Sequence, residues 1–251
     1  MVKVILHGAC GRMGRIIADL ASRDADIQIV AGVDAAGGAY ADFPVYSSID
    51  ACAEEADVII DFSTASAMEA LFGFAAGRGI PAVVCTTGLS EAQTALLQET
   101  SGKVAVLKSA NMSLGINLLQ TLLAEAAPRL AAAGFDIEIV EKHHNQKLDA
   151  PSGTAVALAD SINDAMGGAY AYVYDRSARR EKRPEKEIGI SAVRGGTIVG
   201  DHDVLFAGED EVITFSHRAY SRAVFGKGAL EAAKFLAGKP AGFYTMHDVL
   251  R

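Results

Sequence analysis

The 251-residue sequence is poor in cysteine, poor in positive charge relative to negative, and without a long apolar run. Its three cysteines, Cys10, Cys52 and Cys85, are odd in number, widely spaced, and form no CxxC pair or Cys/His cluster. That argues against a disulfide framework and a structural zinc site, and no metal is expected. Lysine and arginine total 23 against 31 acids, a formal charge of −8. A global basic surface for gripping phosphate backbones is therefore not expected, nor is a nucleic-acid partner, while a local basic pocket stays open. The N-terminal MVKVILHGACGRMG has one lysine and a short apolar run, too brief for a membrane span and with no cleavage pattern after it. No internal repeat or low-complexity tract is visible. The expectation is a soluble, cytoplasmic protein in a reducing compartment, with no membrane partner.

What is present is apolar material and glycine. Half the residues are hydrophobic, enough for a sizeable core, which rules out an intrinsically disordered chain. The length suits one large domain or two modest ones. The 25 glycines have no collagen-like period and so mark particular turns.

The first half alternates strand-like and helix-like segments. Val2–His7 is a β-branched run followed by glycines and a helical stretch at 12–22. Further strand candidates are Ile27–Val33, 57–62 (DVIIDF), 81–86 (PAVVCT) and 103–107, with Ala-rich helical stretches at 65–77 and 90–101. Apolar strands alternating with helices predict a doubly wound parallel sheet. After Asn111 the texture changes. A long helix over 114–133 contains Pro128, and 135–141 (FDIEIVE) alternates as a strand with one wet face does. A helix at 152–166 precedes strand candidates at 188–193, 197–206 and 211–217. Strands in succession without helices predict a mixed sheet in a second, α+β domain. The chain then returns to a helix at Ala223–Leu236. The basic stretch 176–187 (RSARREKRPEKE), with six bases and three acids, reads as a solvated loop, or else as a flap for an anionic ligand.

Gly8-Ala9-Cys10-Gly11-Arg12-Met13-Gly14 follows the first strand and opens the first helix. Backbone N–H groups and the positive helix end can face a pyrophosphate there. The spacing is GxxGxxG, but Asp34 ends the second strand 20 residues after Gly14, where an acid receives ribose hydroxyls. A dinucleotide site is therefore preferred over a merely tight turn. An acid at Asp34, followed by Ala35 rather than arginine, repels a 2′-phosphate and favours NADH over NADPH; Arg12 could still reach such a phosphate and admit NADPH. Thr86-Thr87-Gly88 and Ser109-Ala110-Asn111 follow two later strands, where open α/β sheets place ligands, although turn chemistry alone explains either.

The most informative stretch is EKHHNQKLDAPSGTA, residues 141–155. His143 and His144 are adjacent at a strand end, so their side chains point to opposite faces. Ser152 is a natural N-cap, and the N–H groups of Gly153 and Thr154 offer an anion site. Imidazoles, Lys147 and a helix start thus describe a pocket for a small carboxylate, with proton donors at hand. Metal binding lacks usable ligand spacing here; surface histidines at a strand end are the plainer alternative.

Taken together, GACGRMGR, CTTG, SANMS and EKHHNQKLDAPSGTA resemble the motifs of the 4-hydroxy-tetrahydrodipicolinate (dihydrodipicolinate) reductase family, as do SAVRGGTIVGDH and SHRAYSR downstream. The resemblance implies that His143 is the catalytic acid/base, that Lys147 is the proton donor, and that His144, Gly153 and Thr154 hold substrate carboxylates. It also implies that Gly8, Ala9, Cys10, Gly11, Arg12, Met13, Asp34, Cys85, Thr86, Thr87, Ser109, Ala110, Asn111 and Met112 line the cofactor. The implied fold is a Rossmann-type domain (1–112 and 222–251) carrying an inserted substrate-binding and oligomerisation domain (113–221), assembled as a homotetramer. Departures from the family pattern are Ala35, where some members carry a base, Cys85 in place of glycine and Met112 in place of phenylalanine. The implied reaction is hydride transfer to an unsaturated nitrogen heterocycle bearing two carboxylates, in lysine biosynthesis through diaminopimelate. Closure is expected about hinges near 111–113 and 221–222. The rivals are another two-domain NAD-dependent dehydrogenase, which leaves the His-His-Lys string unexplained, and a non-catalytic NADH sensor, which needs no acid/base group.

Overall fold

The computed structural model describes residues 1–37 and 42–251. Its contacts divide the chain into two compact units, Met1–Leu114 with Arg222–Arg251, and Gly115–Ser221. The first unit is built on β1 (Val2–His7), α1 (Arg12–Ala21), β2 (Ile27–Val33), β3 (Val45–Tyr46), β4 (Val58–Asp61), α2 (Met68–Arg78), β5 (Ala82–Val84), α3 (Glu91–Ser101) and β6 (Ala105–Lys108). The second holds nearly all of α4 (Leu114–Ala132), and then β7 (Asp136–His143), α5 (Gly153–Ala165), β8 (Ala171–Val173), β9 (Glu187–Arg194), β10 (Gly200–Ala207) and β11 (Val212–Ala219). The chain then returns to the first unit with α6 (Ala223–Leu236), β12 (Gly242–Tyr244) and α7 (Met246–Val249).

Seven parallel strands in the order β12-β6-β5-β4-β1-β2-β3 form the first sheet. Its strands are apolar on both faces because each face is covered. Val4, Leu6, Val58 and Ile60 pack toward α1 and α6, while the intervening Ile5 and Ile59 pack toward α2 and α3. Fully burying such a side chain stabilises by about 1.5–3 kcal/mol, and the two-residue strand period distributes that gain over both layers. The order reverses between β1 and β4, the switch point at which open α/β sheets place ligands.

The second sheet is mixed, in the order β11-β10-β7-β9-β8, with β7 and β8 parallel to β9 and with β10 antiparallel to β7 and β11. The doubly wound sheet and the α+β unit on a mixed sheet agree with the sequence reading. Along β7, Ile137 and Ile139 join Leu123, Leu158, Ile162, Val204 and Phe206 in a single core under α4 and α5. Glu141 and His143 continue on that same buried face. The core thus changes from apolar to ionisable within one strand, and that end carries the candidate site.

One expectation needs correction and another gains detail. The strand expected at 135–141 runs on to His143, because the backbone ladder with β9 continues through Lys142 and His143 after the apolar alternation has stopped. The basic stretch is largely exposed, as a solvated loop is, but three of its arginines are fixed by ion pairs. Arg176 donates to Glu138 at 2.8 and 3.0 Å, Arg179 donates to Glu187 at 2.8 Å, and Arg183 reaches Asp136 at 2.7 Å. Its guanidinium groups strap the segment to carboxylates of β7 and β9. The short strands β3, β8 and β12 had no sequence signal, being too brief for a period to show.

Candidate functional site

In the second unit, Glu141 is the hub of a buried polar cluster. Arg194 grips it with two hydrogen bonds of 2.7 Å, His143 Nδ1 lies 2.6 Å from it, and the Ser152 N–H donates at 2.9 Å. Sheet register explains the convergence: His143 pairs with Arg194 across β7 and β9, and Glu141 with His202 across β7 and β10. Burial alone would raise the Glu141 carboxyl, but Arg194, His143 and the Ser152 N–H outweigh it and hold it below the usual carboxylate range.

A carboxylate only accepts, so this contact fixes Nδ1–H on His143 and leaves Nε2 for proton exchange. Burial pushes His143 below the ordinary imidazole value, with the bond to Glu141 opposing the shift. Nε2 faces Gly200, where a Cβ would stand 3.0 Å from it. His202 stacks edge-on against His143 with centroids 5.2 Å apart, and its Nε2 lies 2.9 Å from Ser152 Oγ. Burial, then the neighbouring His143, push His202 down to about 4. His202 is therefore neutral at neutral pH.

Ser152 caps α5 by accepting the Ala155 N–H at 3.1 Å, so the helix start of Gly153 and Thr154 is held beside the Glu141 cluster. Arg194 also donates to the Asp149 carbonyl at 2.7 Å, tying down the loop between β7 and α5. Lys147 sits in that loop with its ammonium 2.9 Å from Asp149 Oδ1. His144 lies just past the end of β7 and is less buried than His143. One strand end, one loop and one helix start therefore collect His143, His144, Lys147, Gly153 and Thr154 within a single unit.

The other predicted residues lie in the first unit, at the C-terminal edge of its sheet. Gly11 is the N-cap of α1 and carries no side chain to obstruct the helix start. Gly8 has φ +81°, and a Cβ there would meet the Phe62 carbonyl oxygen at 2.4 Å. At Gly14 a Cβ would lie 2.3 Å from the Ala9 oxygen, so glycine sets the close packing of helix on loop. Ala9 is buried, while Arg12 and Met13 open α1. Asp34 accepts the Cys10 N–H at 2.9 Å and the Ala36 N–H at 3.0 Å, bringing the acid to the glycine loop. Cys85, Thr86 and Thr87 follow β5, and Ser109, Ala110, Asn111 and Met112 follow β6. Ser109 bonds the Asn111 carbonyl at 3.0 Å, and Asn111 Oδ1 receives the Ser113 N–H at 2.8 Å. A bare helix start, backbone N–H groups and an acid at the end of β2 beside the glycine loop fit a dinucleotide. Among the described residues, no group of His, Cys, Asp and Glu is arranged to hold a metal ion.

The family models for dihydrodipicolinate reductase match nearly the whole chain: the N-terminus model covers residues 2–112, and the C-terminus model covers residues 115–250. The chain belongs to the dihydrodipicolinate reductase family. A 4-hydroxy-tetrahydrodipicolinate reductase of Caldanaerobacter subterraneus subsp. tengcongensis is 54% identical over 251 residues, covering 100% of this chain and 99% of that one. One from Clostridium tetani is 48% identical over 250 residues, covering 100% of this chain and 97% of its own. The fold is similar to that of a dipicolinate-bound dihydrodipicolinate reductase from Paenisporosarcina sp. TG-14, with a TM-score of 0.78 and 24% identity over 98% of this chain and 97% of that one.

For this member of the dihydrodipicolinate reductase family, sequence reasoning found the His-His-Lys string but assigned no role to three residues of SAVRGGTIVGDH that organise it. Arg194 lies some fifty positions downstream of Glu141, and only strand pairing joins them. His202 and Gly200 arrive by the same route on β10. The available signal was the strand period, since Glu141 falls two residues before His143 and so on the same face.

Proposed function

We propose that the chain reduces 4-hydroxy-tetrahydrodipicolinate to tetrahydrodipicolinate with a nicotinamide dinucleotide, NADH in preference to NADPH, as a cytoplasmic homotetramer in lysine biosynthesis. The observation that carries the reading is the Arg194–Glu141–His143 array beside the capped start of α5, all within or paired to the EKHHNQKLDAPSGTA string.

The bound cofactor supplies a hydride from its nicotinamide ring. Gly8, Ala9, Cys10, Gly11, Arg12 and Met13 would hold its pyrophosphate through N–H groups and the start of α1. Asp34 would take the ribose hydroxyls and repel a 2′-phosphate, which supports NADH. Cys85, Thr86 and Thr87, with Ser109, Ala110, Asn111 and Met112, would line the nicotinamide end. In the other unit, Gly153, Thr154 and His144 would bind the substrate's carboxylates, so a net charge of −8 is compatible with a local site for a dianion.

The substrate loses water to become a conjugated acceptor, and hydride addition at one carbon leaves negative charge that a proton must quench. Lys147, held in the loop beside Asp149, would give that proton from its ammonium. His143, shifted toward its neutral form by burial, would exchange protons through Nε2 while Glu141 holds its ring. The sheet supports self-association: its face opposite α4 and α5 is only partly strapped by Arg176 and Arg183, leaving Val193 44% and Val212 59% exposed.

The test is oxidation of NADH and of NADPH, followed at 340 nm with freshly generated hydroxy-tetrahydrodipicolinate. Turnover with NADH is expected; no turnover with either cofactor would overturn the reading. Lys147→Ala is expected to lower kcat by about a hundredfold or more while leaving NADH affinity intact.

A further inference from the structure

The first unit holds a buried carboxylate that none of the recognised motifs contains. Asp61, the last residue of β4, is wholly buried, beneath the loops that follow β1, β4 and β5. Its Oδ1 contacts His7 Nδ1 at 2.9 Å and accepts the Ser63 hydroxyl at 2.6 Å and the Ser63 N–H at 3.2 Å. Its Oδ2 accepts the Thr86 hydroxyl at 2.6 Å. One side chain therefore joins the ends of three adjacent strands. A fourth joins through Lys108, the last residue of β6, whose ammonium donates to the Thr86 carbonyl at 2.6 Å.

Backbone contacts run alongside. The Phe62 N–H donates to the His7 carbonyl and the Cys85 N–H to the Asp61 carbonyl, each at 2.9 Å. Gly8 sits against the Phe62 carbonyl so closely that no Cβ fits between them. The glycine loop and the Cys85–Thr87 turn thus share one support. Neighbouring groups fit a positioning role better than a chemical one. Burial, then Asp61, push the Cys85 thiol well above its ordinary value, so it stays protonated, and burial lowers Lys108.

Burying a carboxylate costs several kcal/mol before its partners repay it, and an apolar residue would serve core stability as well. What a carboxylate adds is direction, because each oxygen accepts from defined donors and so fixes their places. We propose that Asp61, with His7, is a positioning residue for the dinucleotide, holding Thr86 and the Gly8 loop in the arrangement that receives the cofactor. The inference rests on the reading above that these loops bind a nicotinamide dinucleotide.

The experiment compares Asp61→Asn, His7→Leu and His7→Asn with the wild type, measuring NADH dissociation by calorimetry, dipicolinate binding, KM, kcat and circular dichroism. Asparagine at 61 keeps the volume but turns an NH2 toward donors. It is expected to raise the NADH Kd and KM together by about tenfold or more, with kcat at saturating NADH within about threefold. Dipicolinate binding is expected to be unchanged. His7→Leu follows Asp61→Asn, whereas His7→Asn, which keeps an N–H near the Nδ1 position, stays within about threefold of wild type. Folded Asp61→Asn and His7→Leu proteins that bind NADH like wild type would overturn the proposal, as would a loss confined to kcat. If Asp61→Asn fails to fold, the two His7 variants decide. Failure of the wild type itself to bind NADH would instead overturn the dinucleotide reading.

Discussion

Glu141 accepts four hydrogen bonds, from both Arg194 Nη atoms, from His143 and from the Ser152 backbone. Removing its charge acts on both the histidine and the arginine. Glu141→Gln is expected to lower kcat by about a hundredfold, because the ring loses its fixed tautomer. It is also expected to destabilise the fold by about 3–5 kcal/mol, because Arg194 is left uncompensated. Steady-state kinetics and urea unfolding separate the two effects, and unchanged kcat in a folded variant would refute the orienting role. Gly200 tests the same ring from the other side. A Cβ at Gly200 would stand 3.0 Å from His143 Nε2, tighter than ordinary contact, so the ring must shift. Gly200→Ala is expected to cost activity with little change in NADH affinity, as kcat against KM would report.

At the scale of elements, α5 matters through its first turn. Ser152 serves the Ala155 N–H and His202 together, so Ser152→Ala removes a cap and leaves a buried imidazole nitrogen without its acceptor or donor. The expected cost is about 1–3 kcal/mol in urea unfolding, with a raised KM for the heterocyclic substrate as the helix start loosens. A variant with both stability and KM unchanged would show that α5 is held by packing alone. β7 does comparable work. Its alternation of Ile137, Ile139, Glu141 and His143 carries one face from core to site, so a single strand anchors the domain and aims the ring proposed as the acid/base.

For the whole molecule, the buried histidines tie stability to pH. His202 has an ordinary value of 6.5 in the unfolded chain and about 4 in the fold. Between those values the unfolded form binds the extra proton, so stability is fully present above pH 6.5 and falls as the pH drops toward 4. The loss reaches about 1.4 kcal/mol per pH unit for this group. His143 and His217, also lowered by burial, act in the same direction, and Glu141 adds its own loss as pH falls through its depressed value. Urea midpoints should therefore decline from pH 7 to pH 5, and a flat profile would contradict the burial of these rings. The proposed tetramer predicts a sedimentation mass four times the chain's 26.2 kDa, and a monomer at micromolar concentration would contradict it.

The sequence alone determined the layers and the chemical alphabet. Apolar runs such as DVIIDF, alternating with helical stretches, suit a sheet covered on both faces, and the glycines from Gly8 to Gly14 suit a strand-to-helix turn of close approach. The cluster of His143, His144, Lys147 and Ser152 was legible for a similar reason: fifteen consecutive residues bring it together, so no long-range folding need be known. Tertiary structure decided what orients those groups. Arg194 and His202 reach Glu141 only through the pairing of β9 and β10 with β7, and Asp61 meets His7 and Thr86 only because β1, β4 and β5 are neighbours. Strand register is a non-local choice, made by the total burial of a sheet rather than by any short window of residues. The partners of a buried charge are therefore the part of this protein that only the fold could disclose.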